Sequence, residues 1–245
     1  MKINYRLLRD YGLCDLINAT RHKEIHNPKE FNLEFKKHER ILGTQNLWVC
    51  FLPWHVNIDI AKSHNLLPEY TDYVAYEIPT GIVNPNPHVT KIVLNSLIED
   101  FEVNYSQRNN IHILGMSLGQ YPAIFIANQF DTKKLVVVTP GSKLGACLWD
   151  GIATSQVKEH ATRLGIGTHQ EYDSVLSGTN PIENIRSLPR DLELYIGTND
   201  YYIRKKYGFE FLNALEAQGK NARVRTYQGK GHILTLLSFG VDNNL

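Results

Sequence analysis

The chain has 245 residues, and its 26 Lys and Arg against 25 Asp and Glu leave a formal net charge of +1. That balance gives no electrostatic footprint for nucleic acid, while the length suits one large core in a single domain over residues 1–245. Three cysteines, Cys14, Cys50 and Cys147, show no metal-ligand spacing and cannot all pair with one another, which fits a reducing compartment and a cytoplasmic location.

From the N-terminus, Met1–Asp10 breaks its apolar residues with charge too early for a signal-peptide core, and no apolar run approaches membrane-spanning length. Tyr5–Ile17 and Phe31–Leu42 read as helical, with His22 and His26 between them. Those two histidines have metal-ligand spacing but lack a third ligand, so they read as a solvated polar face. Leu47–Leu52 is almost wholly apolar, as a central parallel strand should be, and Cys50 within it reads as a small core residue. Asn57 is placed to cap a helix running to about Leu66. Tyr73–Ile78 is the next strand, stopped by Pro79 and Gly81. From Pro87 to about Gln107, Val89, Val93, Leu97 and Phe101 recur every four positions, flanked by Ile92 and Ile98, which predicts one buried helical stripe.

Ile111–Leu114 then reads as a strand, and Gln120–Gln129 as a helix that tolerates Pro122 in its first turn. Leu135–Thr139 is a buried strand. The stretch from Pro140 to about Ser187 breaks the rhythm, with helical pieces near Thr154–Leu164 and Thr168–Leu176. Its Leu144, Leu148, Trp149 and Ile152 either line a pocket or seat the segment on the core. A strand near Asp191–Ile196 leads to Asn199 and Asp200. After it comes a helix whose Ile203, Tyr207, Phe211 and Leu215 share a face, with Arg204–Lys206 as a solvated surface. A last strand, Ala222–Tyr227, alternates Arg223 and Arg225 with Val224 as a half-exposed edge would, and a glycine-rich loop carries His232. Strands alternating with helices in this way predict an α/β fold: a mostly parallel central sheet with helices on both faces.

The pentapeptide Gly115-Met116-Ser117-Leu118-Gly119 lies between a strand and a helix. That context predicts a nucleophile elbow, in which the chain turns so sharply that only small residues fit two positions either side of an exposed serine. A serine hydroxyl is a poor nucleophile at neutral pH and needs a base, for which imidazole titrates in the right range. The base in turn needs a carboxylate to fix its tautomer. Asp200 after one later strand and His232 after the last supply both, in the order serine, acid, histidine. Each has an ordinary structural reading as well: a turn serine, a helix-initiating aspartate, a loop-capping histidine. Asp131 precedes its strand, and Asp150 and Asp173 fall in the irregular stretch, so they are weaker candidates. No phosphate-binding glycine loop or dinucleotide fingerprint is present, and no cofactor or metal is expected.

From about Leu47 to its end the chain resembles the α/β-hydrolase superfamily, in its serine-hydrolase branch. The resemblance implies a Ser117 nucleophile, an Asp200 acid, a His232 base and a small helical cap inserted at residues 141–187. It also implies an oxyanion hole made by the N–H of Leu118 and one from the loop after Leu47–Leu52. That loop, Pro53-Trp54-His55-Val56-Asn57, lacks the His-Gly pair common in relatives. Proline has no N–H, which makes Trp54 the first choice and His55 the second. The helical reading of the first 45 residues departs from the antiparallel opening common in the superfamily and implies a sheet trimmed at that edge. The expected activity is cleavage of a carboxylic ester or thioester through an acyl-enzyme on Ser117. An acyltransferase with the same triad and a non-catalytic binding protein of the same fold are the alternatives. The acyl chain, the leaving group and the oligomeric state are not encoded in these motifs.

Overall fold

A computed structural model describes residues 35–242. Seven strands form one sheet: β1 (Lys37–Arg40), β2 (Leu47–Phe51), β3 (Asp72–Tyr76), β4 (Ile111–Met116), β5 (Lys134–Val138), β6 (Asp191–Gly197) and β7 (Arg223–Tyr227). Their order is β1-β3-β2-β4-β5-β6-β7, parallel except for β1, which pairs antiparallel with β3. Among the described residues, eight helices accompany them: α1 (Ile58–Ser63), α2 (Pro87–Tyr105), α3 (Gln120–Gln129), α4 (Leu144–Asp150), α5 (Ser155–Arg163), α6 (His169–Val175), α7 (Lys205–Ala217) and α8 (His232–Asp242).

The two sheet faces separate by strand alternation. Trp48 and Cys50 of β2 join Ala61 of α1 and Leu236 and Phe239 of α8 in one core. Val49 and Phe51 point the other way, into a larger core with α2, α3 and α7. On α2 the buried stripe runs through Val93, Leu97, Phe101 and Ile98, whereas Ile92 is exposed. Cys50 is fully buried, and burial alone drives its thiol far above the usual range.

Several expectations are corrected. Lys37–Arg40 lies within the stretch read as helical, yet it is a strand, because backbone pairing with β3 from Lys37↔Tyr76 to Arg40↔Tyr73 outweighs the helix propensity of Lys and Glu. The sheet is therefore extended at that edge by an antiparallel strand. Asn57 does cap α1, accepting the Ile60 N–H at 2.9 Å, but the helix stops at Ser63. His232 opens α8 instead of ending in a loop, with Thr235 N–H donating to Gly231 O at 2.9 Å. Leu144–Asp150, within the irregular stretch, forms the helix α4. Its N-terminus is capped from a distance, Gly145 and Ala146 donating to the buried Asp173 carboxylate on α6. Tyr5–Ile17, His22, His26 and Cys14 lie outside the described residues.

The switch in strand order lies between β2 and β4. The chain leaves β2 toward β3 on one side and leaves β4 toward β5 on the other. Diverging connections open a crevice at the carboxyl ends of two neighbouring parallel strands, where α/β sheets bind ligands. The glycines of the pentapeptide let the chain enter this crevice. A Cβ on Gly115 would lie 2.5 Å from Ala123 Cβ, and one on Gly119 would lie 2.3 Å from Phe51 O and 2.7 Å from Leu52 O. Backbone atoms of a central strand have nowhere to go. Gly119→Ala is therefore expected to destabilise the fold by about 3 kcal/mol, at the upper end for overpacking. Urea unfolding checks this, and a loss under about 0.5 kcal/mol would show that the elbow has room.

Candidate active site

Ser117 follows β4 directly, in a 3₁₀ turn, Ser117–Gly119, that leads into α3. Its φ is +53°, in the left-handed region that costs a residue with a Cβ. This strain turns the side chain out of the strand-to-helix reversal. Buried Gln120, the first residue of α3, ties this turn to the segment after β5: its Oε1 accepts the Gly141 N–H at 2.6 Å and its Nε2 donates to Thr139 O at 3.3 Å.

Asp200 follows β6, and His232, the first residue of α8, follows β7, at the same end of the sheet. His232 Nε2 lies 2.7 Å from Ser117 Oγ, and His232 Nδ1 lies 2.7 Å from Asp200 Oδ2. All three residues are at least nine-tenths buried. The other carboxylate oxygen, Oδ1, accepts the N–H groups of Tyr202 at 2.9 Å and Ile203 at 2.8 Å. Those two bonds hold the carboxylate plane. A carboxylate is acceptor-only, so the imidazole carries its proton on Nδ1, and Nε2 is left to accept from the serine hydroxyl. The chain of bonds runs in one direction, from hydroxyl to imidazole to carboxylate.

The other aspartates are engaged elsewhere. Asp131 pairs with Lys133, Asp150 binds Lys206 and Tyr207, and Asp173 caps α4. Burial raises the Asp173 carboxyl above the usual range despite the backbone N–H groups and His169 that oppose the shift.

Ser117 and His232 open onto a cavity of about 290 Å³. It is lined by apolar residues that include Trp54, Val56, Leu148 and Ile203, with Ile233 and Leu236 from α8, and by no Asp, Glu, Lys or Arg among the described residues. Leu118 and Trp54, the two expected oxyanion donors, both line it, as does His55. Trp54 and His55 occupy the middle of a turn closed by Val56 N–H to Pro53 O at 3.1 Å, with His55 at φ +61°. Of the residues expected either to line a pocket or to seat the 141–187 segment, Leu148 does both. Leu144 is core, and Trp149 packs against the core. Cys147 also faces the cavity, and burial pushes its thiol up to about 12, so it is neutral.

Two residues at the site went unnoticed in the sequence. Gln120 gave no sign. Tyr202, whose ring stacks on His232, stands two places after Asp200, and that proximity was the available signal. The α8 wall was readable from the helical spacing of His232, Thr235, Leu236, Phe239 and Gly240, all buried.

A mostly parallel seven-stranded sheet with helices on both faces, and a serine at a strained strand-to-helix turn, define the α/β-hydrolase superfamily and its serine hydrolases. Within it, the prolyl oligopeptidase family matches residues 94–243, more than half of the sequence, and the chain belongs to that family. No curated protein sequence matches the chain. Among solved structures it is similar to a Pyrococcus horikoshii acylaminoacyl peptidase, with 14% identity, 83% of this chain and 36% of that one covered, and a TM-score of 0.57. The capsule O-acetyltransferase of Neisseria meningitidis serogroup A shares 12% identity over 85% of this chain and 88% of that one, with a TM-score of 0.59. The serine hydrolase CCSP0084 from Cycloclasticus zankles shares 13% identity over 86% and 96%, with a TM-score of 0.52. At such identities the likeness is one of fold. The chain spans only about a third of the length of the peptidases it matches, 32% and 37% for two of them. Among the described residues, no helix is long and apolar enough to cross a membrane.

Proposed function

We propose that this chain is a serine hydrolase that cleaves a carboxylic ester or thioester through an acyl-enzyme on Ser117. The observation that carries the reading is the continuous hydrogen-bond path from Ser117 Oγ through His232 to Asp200, at the mouth of an apolar cavity. As Oγ attacks the substrate carbonyl, its proton passes to His232 Nε2, and Asp200 stabilises the imidazolium without taking the proton. The carbonyl oxygen becomes negative, and we assign the Leu118 and Trp54 N–H groups to meet it. One such donor is typically worth about 3 kcal/mol in the transition state. The imidazolium then gives its proton to the leaving alcohol or thiol, and the acyl group stays on Ser117. A water deprotonated by the same imidazole cleaves that ester and frees the serine. Residues 141–187 serve in this proposal as the cap, contributing Cys147, Leu148 and Thr154 to the acyl cavity.

The absence of charge among the described lining residues supports an uncharged acyl group, because an unpaired carboxylate carried into an apolar wall loses its hydration. p-Nitrophenyl butyrate is therefore expected to be cleaved with a kcat/KM at least tenfold above that of the hemisuccinate ester, which carries a carboxylate. Equal values would contradict the assigned acyl cavity. Membership of the prolyl oligopeptidase family favours a second reading, peptide-bond cleavage by the same acyl-enzyme. Peptide p-nitroanilides separate the two, and turnover of these exceeding that of the esters would replace the ester reading. Adding an alcohol or amine acceptor and analysing products separates release to water from acyl transfer.

With His232 as the base, kcat/KM is expected to fall on the acidic side as the imidazole takes a proton and can no longer accept one from Ser117. The sign is fixed: activity rises with pH through the histidine range. A flat profile from pH 5 to 8 with chemistry rate-limiting would exclude the assignment.

A further inference from the structure

The edges of the His232 ring are held by Asp200 on Nδ1 and Ser117 on Nε2. Hydrogen bonds to ring nitrogens act in the plane of the imidazole, and a contact on its face adds resistance to tipping out of that plane. Tyr202 provides such a contact. Its ring lies nearly parallel to the imidazole, with 16° between the planes and 5.1 Å between centroids, an offset stack. The backbone N–H of the same residue donates to Asp200 Oδ1. Tyr202 therefore touches both partners in the proton path.

The stack also bears on charge. An aromatic face is the negative pole of the ring quadrupole, so it favours a cation lying over it relative to the neutral form. His232 begins α8, where the helix dipole opposes a positive charge, so a compensating face matters more here than in mid-helix. Among the described residues, several ionisable and polar groups stand near the imidazole. Asp200 and the Ser117 hydroxyl meet its edges, and Cys147 of α4 and His55 of the Pro53–Val56 turn line the same cavity. Lys230, two residues upstream, directs its ammonium to Ser238 Oγ and the Tyr227 ring.

We infer that Tyr202 is a positioning residue: its ring face sets the plane of the His232 imidazole and stabilises the imidazolium formed as Ser117 attacks. The inference rests on the acyl-enzyme reading. The test compares wild type with Tyr202→Phe and Tyr202→Leu, using p-nitrophenyl butyrate across pH and a fluorophosphonate probe for Ser117. Tyr202→Phe keeps the face and should stay within about threefold of wild type, with its acidic limb unmoved. Tyr202→Leu keeps a cavity wall but loses the face, so its acidic limb should move to lower pH by about half a unit to one unit, with kcat down about tenfold. A residue that merely lined the cavity would change KM and leave the limb in place, and coincident limbs would overturn the inference. Should Tyr202→Leu not fold, Tyr202→Trp carries the test. Its larger face should hold the limb at or above the wild-type pH, and a limb moved to lower pH would overturn the proposal. If wild type itself is neither labelled by the probe nor active on the ester, the acyl-enzyme reading has failed. If it is labelled and active but the limbs coincide, only the role of Tyr202 has.

Discussion

Replacing Asp200 by asparagine is expected to lower kcat by about 10⁴-fold, with KM and the fold almost unchanged. The size follows from how the carboxylate is held. Oδ1 accepts two backbone N–H groups, from Tyr202 and Ile203, and these bonds require an acceptor. Asparagine can satisfy them only by placing its carbonyl oxygen there, which turns its NH₂ group toward His232 Nδ1. That nitrogen must then accept, and the proton moves to Nε2. The hydroxyl of Ser117 is left facing a donor at the position where the base should be. The geometry survives and the chemistry does not. Steady-state kinetics and a thermal melt check both halves. A kcat within tenfold of wild type would mean that Asp200 does not set the tautomer.

Substituting Ser117 is expected to remove turnover altogether, with kcat lower by about 10⁶-fold, as for loss of a nucleophile elsewhere. The backbone adds a second expectation. At φ +53° a residue with a Cβ is strained, by about 1–2 kcal/mol for the left-handed region, while glycine is not. Ser117→Gly and Ser117→Ala should therefore be equally inactive, with the glycine variant more stable by about 1 kcal/mol in urea unfolding, after its greater unfolded-state entropy is deducted. Such a gain would show that strain in the wild type is held at the reacting atom. An alanine variant as stable as the glycine variant would mean that the turn stores nothing.

The parts of the fold that were legible were those whose local signal agreed with their tertiary setting. Leu47–Phe51 and Leu135–Val138 are buried on both faces, and the requirement for apolar residues at every position is written into them. Lys37–Arg40 carries no such signal. It is a strand because β3 offers an edge, and its side chains find partners elsewhere: Lys37 on Asp100, His38 on Glu77, Glu39 on Tyr105. The helix α4 was hidden for a similar reason, since the carboxylate that caps it belongs to Asp173, 28 residues past Gly145. At the candidate site, the meeting of Ser117, Asp200 and His232 could be expected from order and context, because each follows a strand that runs in the same direction. How they face one another depends on register between strands that are remote in sequence. The Trp54 turn and the Tyr202 stack depend on backbone and ring orientation, to which residue types alone give no access.

The proposed nucleophile is Ser117, activated by His232. The direct measurement is to treat the protein with a fluorophosphonate, digest it and locate the adduct by mass spectrometry. One phosphonylated peptide is expected, modified at Ser117, with labelling that slows as the pH falls through the histidine range and is absent in Ser117→Ala. Labelling of Ser117→Ala at the wild-type rate, or an adduct on any other residue, would contradict it.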